Sequence, residues 1–361
     1  MTKLEGYVEI LDERGWGAVC AEDWGLEEAI VTCRELNLGY AREATKGNYF
    51  RRSKTSILYS DIECKIDDPT LSHCARQKSR NISCGNNLRA GVICVSAVPD
   101  LVVDVQALQE SVNIDVAWLR HLRCAYEEKC LAESAASAWS SGADHHARRL
   151  LRFTTRIENR GLAPFRSNVP QSAWEWHSCH NHYHSMETFS TYKLLSRTSR
   201  EQAAGHKASF CLEDTVCDKG LHKSFNCTNR GPQGISPNCY DIYKWNIDCQ
   251  WIDVTDVPHG NFILRVTVNP ERKVPESDYT NNIAKCWVYD YGNVAYTTDC
   301  HLESCESGYK TQGGNSNGAC CVFPFKYNKK WHYKCIPNYW KELWCATTSN
   351  YSRDKKWGNC I

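Results

Sequence analysis

Alternation of apolar and polar positions, the period of a half-buried strand, recurs along this chain. It marks Tyr7-Val8-Glu9-Ile10, Phe153-Thr154-Thr155-Arg156-Ile157-Glu158-Asn159, Phe189-Ser190-Thr191-Tyr192-Lys193-Leu194-Leu195, Phe262-Ile263-Leu264-Arg265-Val266-Thr267-Val268 and Ala284-Lys285-Cys286-Trp287-Val288-Tyr289. Leu101-Val102-Val103-Asp104-Val105 reads as a further strand. Gly, Pro and Asn clusters separate these runs, which predicts an antiparallel sandwich with long loops. Helical spacing is scarcer. Ala29, Ile30, Cys33 and Leu36 recur with it between Leu26 and Leu36, and the stretch from Ala117 to Ala132 reads as helical or irregular. The expected fold is mainly β with small helices.

Length and composition divide the chain. Its 361 residues predict about two to three domains. Ala97-Val98-Pro99-Asp100 reads as a linker, with Pro99 holding its predecessor extended. From Ser304 the composition shifts, through the turn-rich Gly313-Gly314-Asn315-Ser316-Asn317-Gly318. Three units follow: 1–96, 97–303 and 304–361. The formal charge is +1, which gives no nucleic-acid footprint, and no apolar run reaches the ~20 residues of a membrane span. The 22 cysteines point to disulfides formed in an oxidising compartment. Met1-Thr2-Lys3-Leu4-Glu5-Gly6 contains no apolar leader, so the N-terminus is expected to be incomplete or processed. Sequons at Asn81, Asn226 and Asn350 accord with a secreted glycoprotein.

The candidate chemistry centres on Trp174-Glu175-Trp176-His177-Ser178-Cys179-His180-Asn181-His182-Tyr183-His184-Ser185. On a strand His180, His182 and His184 would share one face, with Cys179 opposite. Three converging imidazoles make a metal site, and imidazole suits copper, zinc, iron and nickel alike. A zinc hydrolase is disfavoured, because no Glu stands as in His-Glu-x-x-His. A second cluster, Glu276-x-Asp278-x-x-Asn281-Asn282, offers oxygen side chains that suit either calcium or a polar Asx-capped turn.

The histidine segment resembles the copper-binding motif of lysyl oxidases, and the resemblance runs from about Pro99 to Cys300. It includes His206-Lys207-Ala208-Ser209-Phe210-Cys211-Leu212-Glu213-Asp214, Asp248-Cys249-Gln250-Trp251-Ile252-Asp253 and Pro275-Glu276-Ser277-Asp278-Tyr279-Thr280-Asn281-Asn282. The resemblance implies a copper ion on His180, His182 and His184, and a lysine tyrosylquinone cofactor made from Lys207 and Tyr243. It implies calcium held by Asp100, the Leu101 carbonyl, Glu276, Asp278, Asn281 and Asn282. It implies the pairings Cys124–Cys130, Cys179–Cys227, Cys211–Cys217, Cys239–Cys249 and Cys286–Cys300. The implied activity is oxidation of peptidyl lysine to an aldehyde in collagen- or elastin-like matrix proteins, with release of ammonia and hydrogen peroxide. The general base is not assigned; Asp241 and His177 are near in sequence. The alternative is a catalytically inactive, extracellular matrix-binding or scavenger-type protein.

The flanking units carry resemblances of their own. Trp16-Gly17-x-Val19-Cys20, Ala29-x-Val31-x-Cys33-Arg34-x-Leu36 and Gly91-Val92-x-Cys94 resemble a scavenger receptor cysteine-rich domain, a small α+β fold. Spacing alone leaves its pairing open; the family's is Cys20–Cys84, Cys33–Cys94 and Cys64–Cys74. Cys321-Val322-Phe323-Pro324-Phe325, Cys335, Trp344-Cys345-Ala346-Thr347-Thr348 and Lys356-Trp357-Gly358-Asn359-Cys360 resemble a fibronectin type II module. That implies Cys321–Cys345, Cys335–Cys360 and binding of denatured collagen; the simplest use of Cys305 and Cys320 joins them. The unit is dense in aromatics, among them Phe323, Phe325, Tyr327, Trp331, Tyr333, Tyr339, Trp340, Trp344, Tyr351 and Trp357. So small a domain cannot bury them all, and those left outside would form a binding surface. Alternatively they replace a missing aliphatic core.

Overall fold

Strand Gly260–Val268 shows how the alternation becomes a core. Phe262, Leu264, Val266 and Val268 are buried, while the residues between them are not. It pairs antiparallel with Ser190–Leu195 on one side and Ile283–Asp290 on the other. Glu201–Gly205 and Ala295–Leu302 complete a five-stranded sheet. A four-stranded sheet runs in the order Val216–Cys217, Cys239–Tyr243, Thr155–Asn159, Leu101–Val103. Its Leu101, Val103, Ile157 and Tyr243 share one apolar cluster with Leu194, Leu264, Ala284 and Val288 of the larger sheet. This is the sandwich core. The fold is mainly β with few small helices, as expected.

These facts come from a computed structural model. It describes all residues except 1–3, 14, 48, 51–54, 67, 79–83, 86–87, 178–180, 206–209, 304, 306–308, 317, 324, 339–341, 349 and 361.

One expected element differs, and another is helical or irregular as expected except at its first two residues. The strand begun at Leu101 stops at Val103, because Asp104 turns the chain into helix Val105–Ser111. Its Oδ1 accepts the Gln106 and Ala107 amides at 3.0 Å, the N-cap arrangement. The stretch from Ala117 opens inside strand Asn113–Trp118 and then shortens to the single helical turns Leu119–His121 and Arg123–Glu127. Those turns and helix Ser134–Ser140 form a satellite cluster around Trp251, whose Nε1 donates to the Cys130 carbonyl at 3.0 Å. Beneath it Arg148 and Asp253 form a buried pair at 2.7 Å.

The first unit has two small sheets and helix Leu26–Glu35, whose Ala29, Val31 and Cys33 are buried. Buried Glu28 is satisfied by two backbone amides, Gly25 N at 2.8 Å and Cys64 N at 2.9 Å. Its disulfides are Cys20–Cys84, Cys33–Cys94 and Cys64–Cys74, the expected set. The last unit pairs Thr311–Gln312, Trp357–Cys360, Leu343–Ala346 and Ile336–Pro337 in one sheet, beside the hairpin Phe325–Tyr327 and Lys330–His332. Its disulfides Cys305–Cys320, Cys321–Cys345 and Cys335–Cys360 are also those expected.

Between them the pairing differs. Only Cys286–Cys300 forms as anticipated. Cys217 and Cys239 are direct cross-strand partners, so their sulfurs join each other rather than Cys211 and Cys249. Cys211 bonds Cys227, which removes Cys227 from Cys179. Cys130 bonds Cys249, because the satellite helices pack against the segment leading into Trp251. Cys124 is also disulfide-bonded, and not to Cys130; Cys179 lies outside the described residues.

Candidate metal and cofactor site

The histidine segment folds as a hairpin. Strand Glu175–His177 pairs with His182–His184 in the register Glu175↔His184, Trp176↔Tyr183, His177↔His182. Asn181 has φ +54°, so the chain turns just before His182 and the expected single strand from His180 to His184 does not form. His180 lies outside the described residues. His182 and His184 do share a face, with Nε2 atoms 2.9 Å apart. The two ring nitrogens meet at hydrogen-bond distance and so present two imidazole donors at one point, the ligand type that copper and zinc take. The donor set therefore fits a metal ion.

The hairpin is fixed from outside. His177 stacks on His184 with centroids 4.0 Å apart and planes 18° from parallel. Its Nδ1 lies 3.1 Å from Glu128 Oε1, in a largely buried pair. Buried Gln233 accepts from the Ser185 amide at 3.1 Å and donates to the Tyr183 carbonyl at 2.6 Å. Neither Glu128 nor Gln233 was legible in sequence, since each lies 48 or more positions from its partner.

Tyr243 ends strand Cys239–Tyr243 and is buried in the sandwich core. Its hydroxyl is 2.8 Å from both Asp241 Oδ2 and the Cys211 carbonyl oxygen. Burial, then the Asp241 carboxylate, pushes its pKa well above the ordinary phenol value. Asp241 is buried too, and burial raises its pKa to about 8. Phe210 packs edge-on against Tyr243 with centroids 5.4 Å apart, while Phe189 tilts against it at 6.0 Å. Phe210 also bridges by its backbone to Met186, two residues beyond His184. Lys207 lies outside the described residues.

The acidic loop also comes together. Glu276 is buried; Oε2 accepts the Leu101 amide at 2.6 Å, and Oε1 accepts Asn269 and Asn282 at 2.7 and 2.8 Å. Burial raises its pKa to about 8 despite those donors. Asp100 accepts from Asn281 Nδ2 at 2.9 Å. Oδ1 of Asn281 and of Asn282 are buried without a hydrogen bond among the described residues. A buried carboxylate beside two unsatisfied amide oxygens is the donor chemistry of a hard cation. Asp278 Oδ1 caps its own turn, accepting the Thr280 amide and hydroxyl at 2.7 Å.

In the last unit Phe325 and Trp344 form the core. Trp331 is 52% exposed and Tyr333 74%; Tyr339 and Trp340 lie outside the described residues.

A disulfide-stapled, mainly antiparallel β protein with an imidazole pair beside its sandwich core defines the class. The family model described as Lysyl oxidase matches residues 99–300, that of the scavenger receptor cysteine-rich domain 1–95, and that of the fibronectin type II domain 321–360. The chain belongs to the lysyl oxidase family. It is 43% identical over 324 residues to lysyl oxidase homolog 3B of Danio rerio, covering 87% of this chain and 39% of that protein. It is 42% identical over 308 residues to lysyl oxidase homolog 2 of Bos taurus, covering 82% and 39%. Among solved structures, the third scavenger receptor cysteine-rich domain of murine neurotrypsin aligns at 33% identity and TM-score 0.23, covering 26% of this chain and 87% of that one. The chain thus spans about two fifths of the length of these curated relatives.

Proposed function

We propose that the chain is a secreted copper-dependent amine oxidase that converts peptidyl lysine in collagen- or elastin-like proteins to the aldehyde, releasing ammonia and hydrogen peroxide. The observation that carries this reading is Phe210: its backbone bridges to the histidine segment, its ring packs on Tyr243, and it follows Lys207 by three positions.

In this reading His180, His182 and His184 hold copper, while Lys207 and Tyr243 form the quinone. Together these groups supply a redox metal and an electrophilic carbonyl able to take two electrons from an amine. The chain's residues do the rest. Glu128 orients His177, which backs His184, a support of the kind that fixes ligand orientation. Gln233 holds the hairpin's end. Phe189 and Phe210 keep water from Tyr243.

The same reading gives calcium to Glu276, Asp278, Asn281 and Asn282 with Asp100 and the Leu101 carbonyl, where it ties the first strand of the sandwich to the late loop. It divides the chain at 1–96, 97–303 and 304–361, with the last unit tethering the oxidase to denatured collagen through Trp331 and Tyr333.

The test is the copper-loaded 361-residue chain with a lysine-bearing peptide, reading peroxide and mapping peptides. Peroxide release with a joined Lys207–Tyr243 fragment is expected. An active preparation with both residues unmodified would refute the cofactor assignment.

A further inference from the structure

Asp241 is a buried carboxylate that the reading above leaves without a task. It shares a strand face with Tyr243, two positions on. It is held on three sides: Oδ2 faces the Tyr243 hydroxyl at 2.8 Å and accepts the Glu213 amide at 3.2 Å, while Oδ1 accepts from Thr215 Oγ1 at 3.4 Å. Glu213 and Thr215 belong to the segment that continues from Lys207 through the Cys211–Cys227 disulfide. Asp241 therefore joins the strand of the tyrosine to the chain that carries the lysine.

We infer that Asp241 is the proton acceptor for Tyr243 when the tyrosine is converted to the cofactor. The inference rests on the amine oxidase reading. In the step the phenol O–H bond breaks, the proton moves to Asp241 Oδ2, and the electron pair stays on the tyrosine oxygen. Dioxygen is the oxidant of the ring. The physical reason is charge. Losing the proton to bulk water would create a phenolate deep in an apolar core, where burial opposes it. Passing the proton across one hydrogen bond leaves the pair at a single negative charge before and after. The raised pKa of Asp241 brings its proton affinity toward that of a phenol, which suits it to the role.

Among the described residues, the charged and titratable groups facing Asp241 are few. Tyr243 lies on its own strand, Glu213 on the 211–215 segment, and Tyr192 on strand Ser190–Leu195. Arg156 and Glu158 of the neighbouring strand lie beside Tyr240 on the opposite face.

The experiment loads the 361-residue apoprotein with copper in air and follows the joined Lys207–Tyr243 peptide by mass spectrometry. Copper content and melting temperature are recorded alongside. Asp241→Asn keeps the shape and removes the acceptor. It is expected to bind copper and fold while forming the cross-link about 10²-fold more slowly, the usual scale of a lost acid–base group. Cross-linking at the wild-type rate, or faster, overturns the assignment; a faster rate would mark Asp241 as a latch on the tyrosine. Should the variant fail to fold, the wild-type pH profile decides. The rate is expected to rise as pH rises through about 8, and a rate independent of pH across that range overturns the inference. If wild type itself forms no joined peptide, it is the amine oxidase reading that has failed.

Discussion

His177 lies face to face with His184, ring centroids 4.0 Å apart, while Glu128 holds its Nδ1 at 3.1 Å. Glu128 thus reaches the imidazole pair through an intermediary. Glu128→Gln is expected to weaken copper affinity about 10–100-fold, the usual effect of removing a group that orients a ligand's neighbour. Competitive titration against a copper chelator checks it. Unchanged affinity would reduce His177 and Glu128 to packing.

His184 is better buried than His182. Replacing it by alanine removes one of the two imidazole nitrogens that meet there. Copper and peroxide release should be lost together in His184→Ala, read by metal analysis and a peroxide assay on one preparation. Full copper retention would exclude His184 as a ligand.

Glu276 gives a pH signature. Its folded pKa is about 8 against an ordinary 4.5, so without metal the folded state binds a proton more tightly than the unfolded state. The corresponding stability is complete below about 4.5 and is lost as pH rises toward 8. In chelator the melting temperature should fall over that window. Calcium should restore it by binding only the folded state, and Glu276→Gln should flatten the slope. A slope identical with and without calcium would count against a cation there.

Phe210 is fully buried between Phe189 and Tyr243. Phe210→Ala should cost about 3–5 kcal/mol, the range for a buried phenylalanine, measured by denaturant unfolding. A loss within the range of surface substitutions would show that the site collapses around the cavity.

Deleting 304–361 separates tethering from chemistry. Oxidation of collagen should slow, and that of a small alkylamine should hold, since a tether acts only through effective concentration. Equal collagen rates with and without the module would exclude the tether.

The sandwich was legible because strands such as Gly260–Val268 carry their burial pattern in their residues. The cluster Glu276, Asp278, Asn281 and Asn282 was legible as a polar loop because its residues lie within a few positions of one another, whereas its contacts with Asp100 and Leu101 span 181 and 175 positions. What escaped was whatever depends on distant contacts. Asn181 turns left-handed within a run that reads as one strand, a conformation asparagine tolerates and alternation does not reveal. Cys217 meets Cys239 because two strands pair, and Cys130 meets Cys249 because helices dock on Trp251. Gln233 and Glu128 have no local pattern at all. Asp241 did carry a signal, its position two residues before Tyr243 on a strand, but only the buried contact gives that spacing meaning.

The Cys130–Cys249 bond also sets a schedule. Its halves are 119 residues apart, so at synthesis rates of roughly 5–20 residues per second Cys130 emerges about 6–24 s before its partner. Throughout that interval Cys124 is the nearest thiol, six positions away. A local Cys124–Cys130 bond closes a tiny loop and needs nothing downstream; the native bond needs most of the domain. A Cys124–Cys130 bond formed in that interval must be exchanged before Cys130 can reach Cys249, so an added disulfide isomerase is expected to raise the yield of the native set.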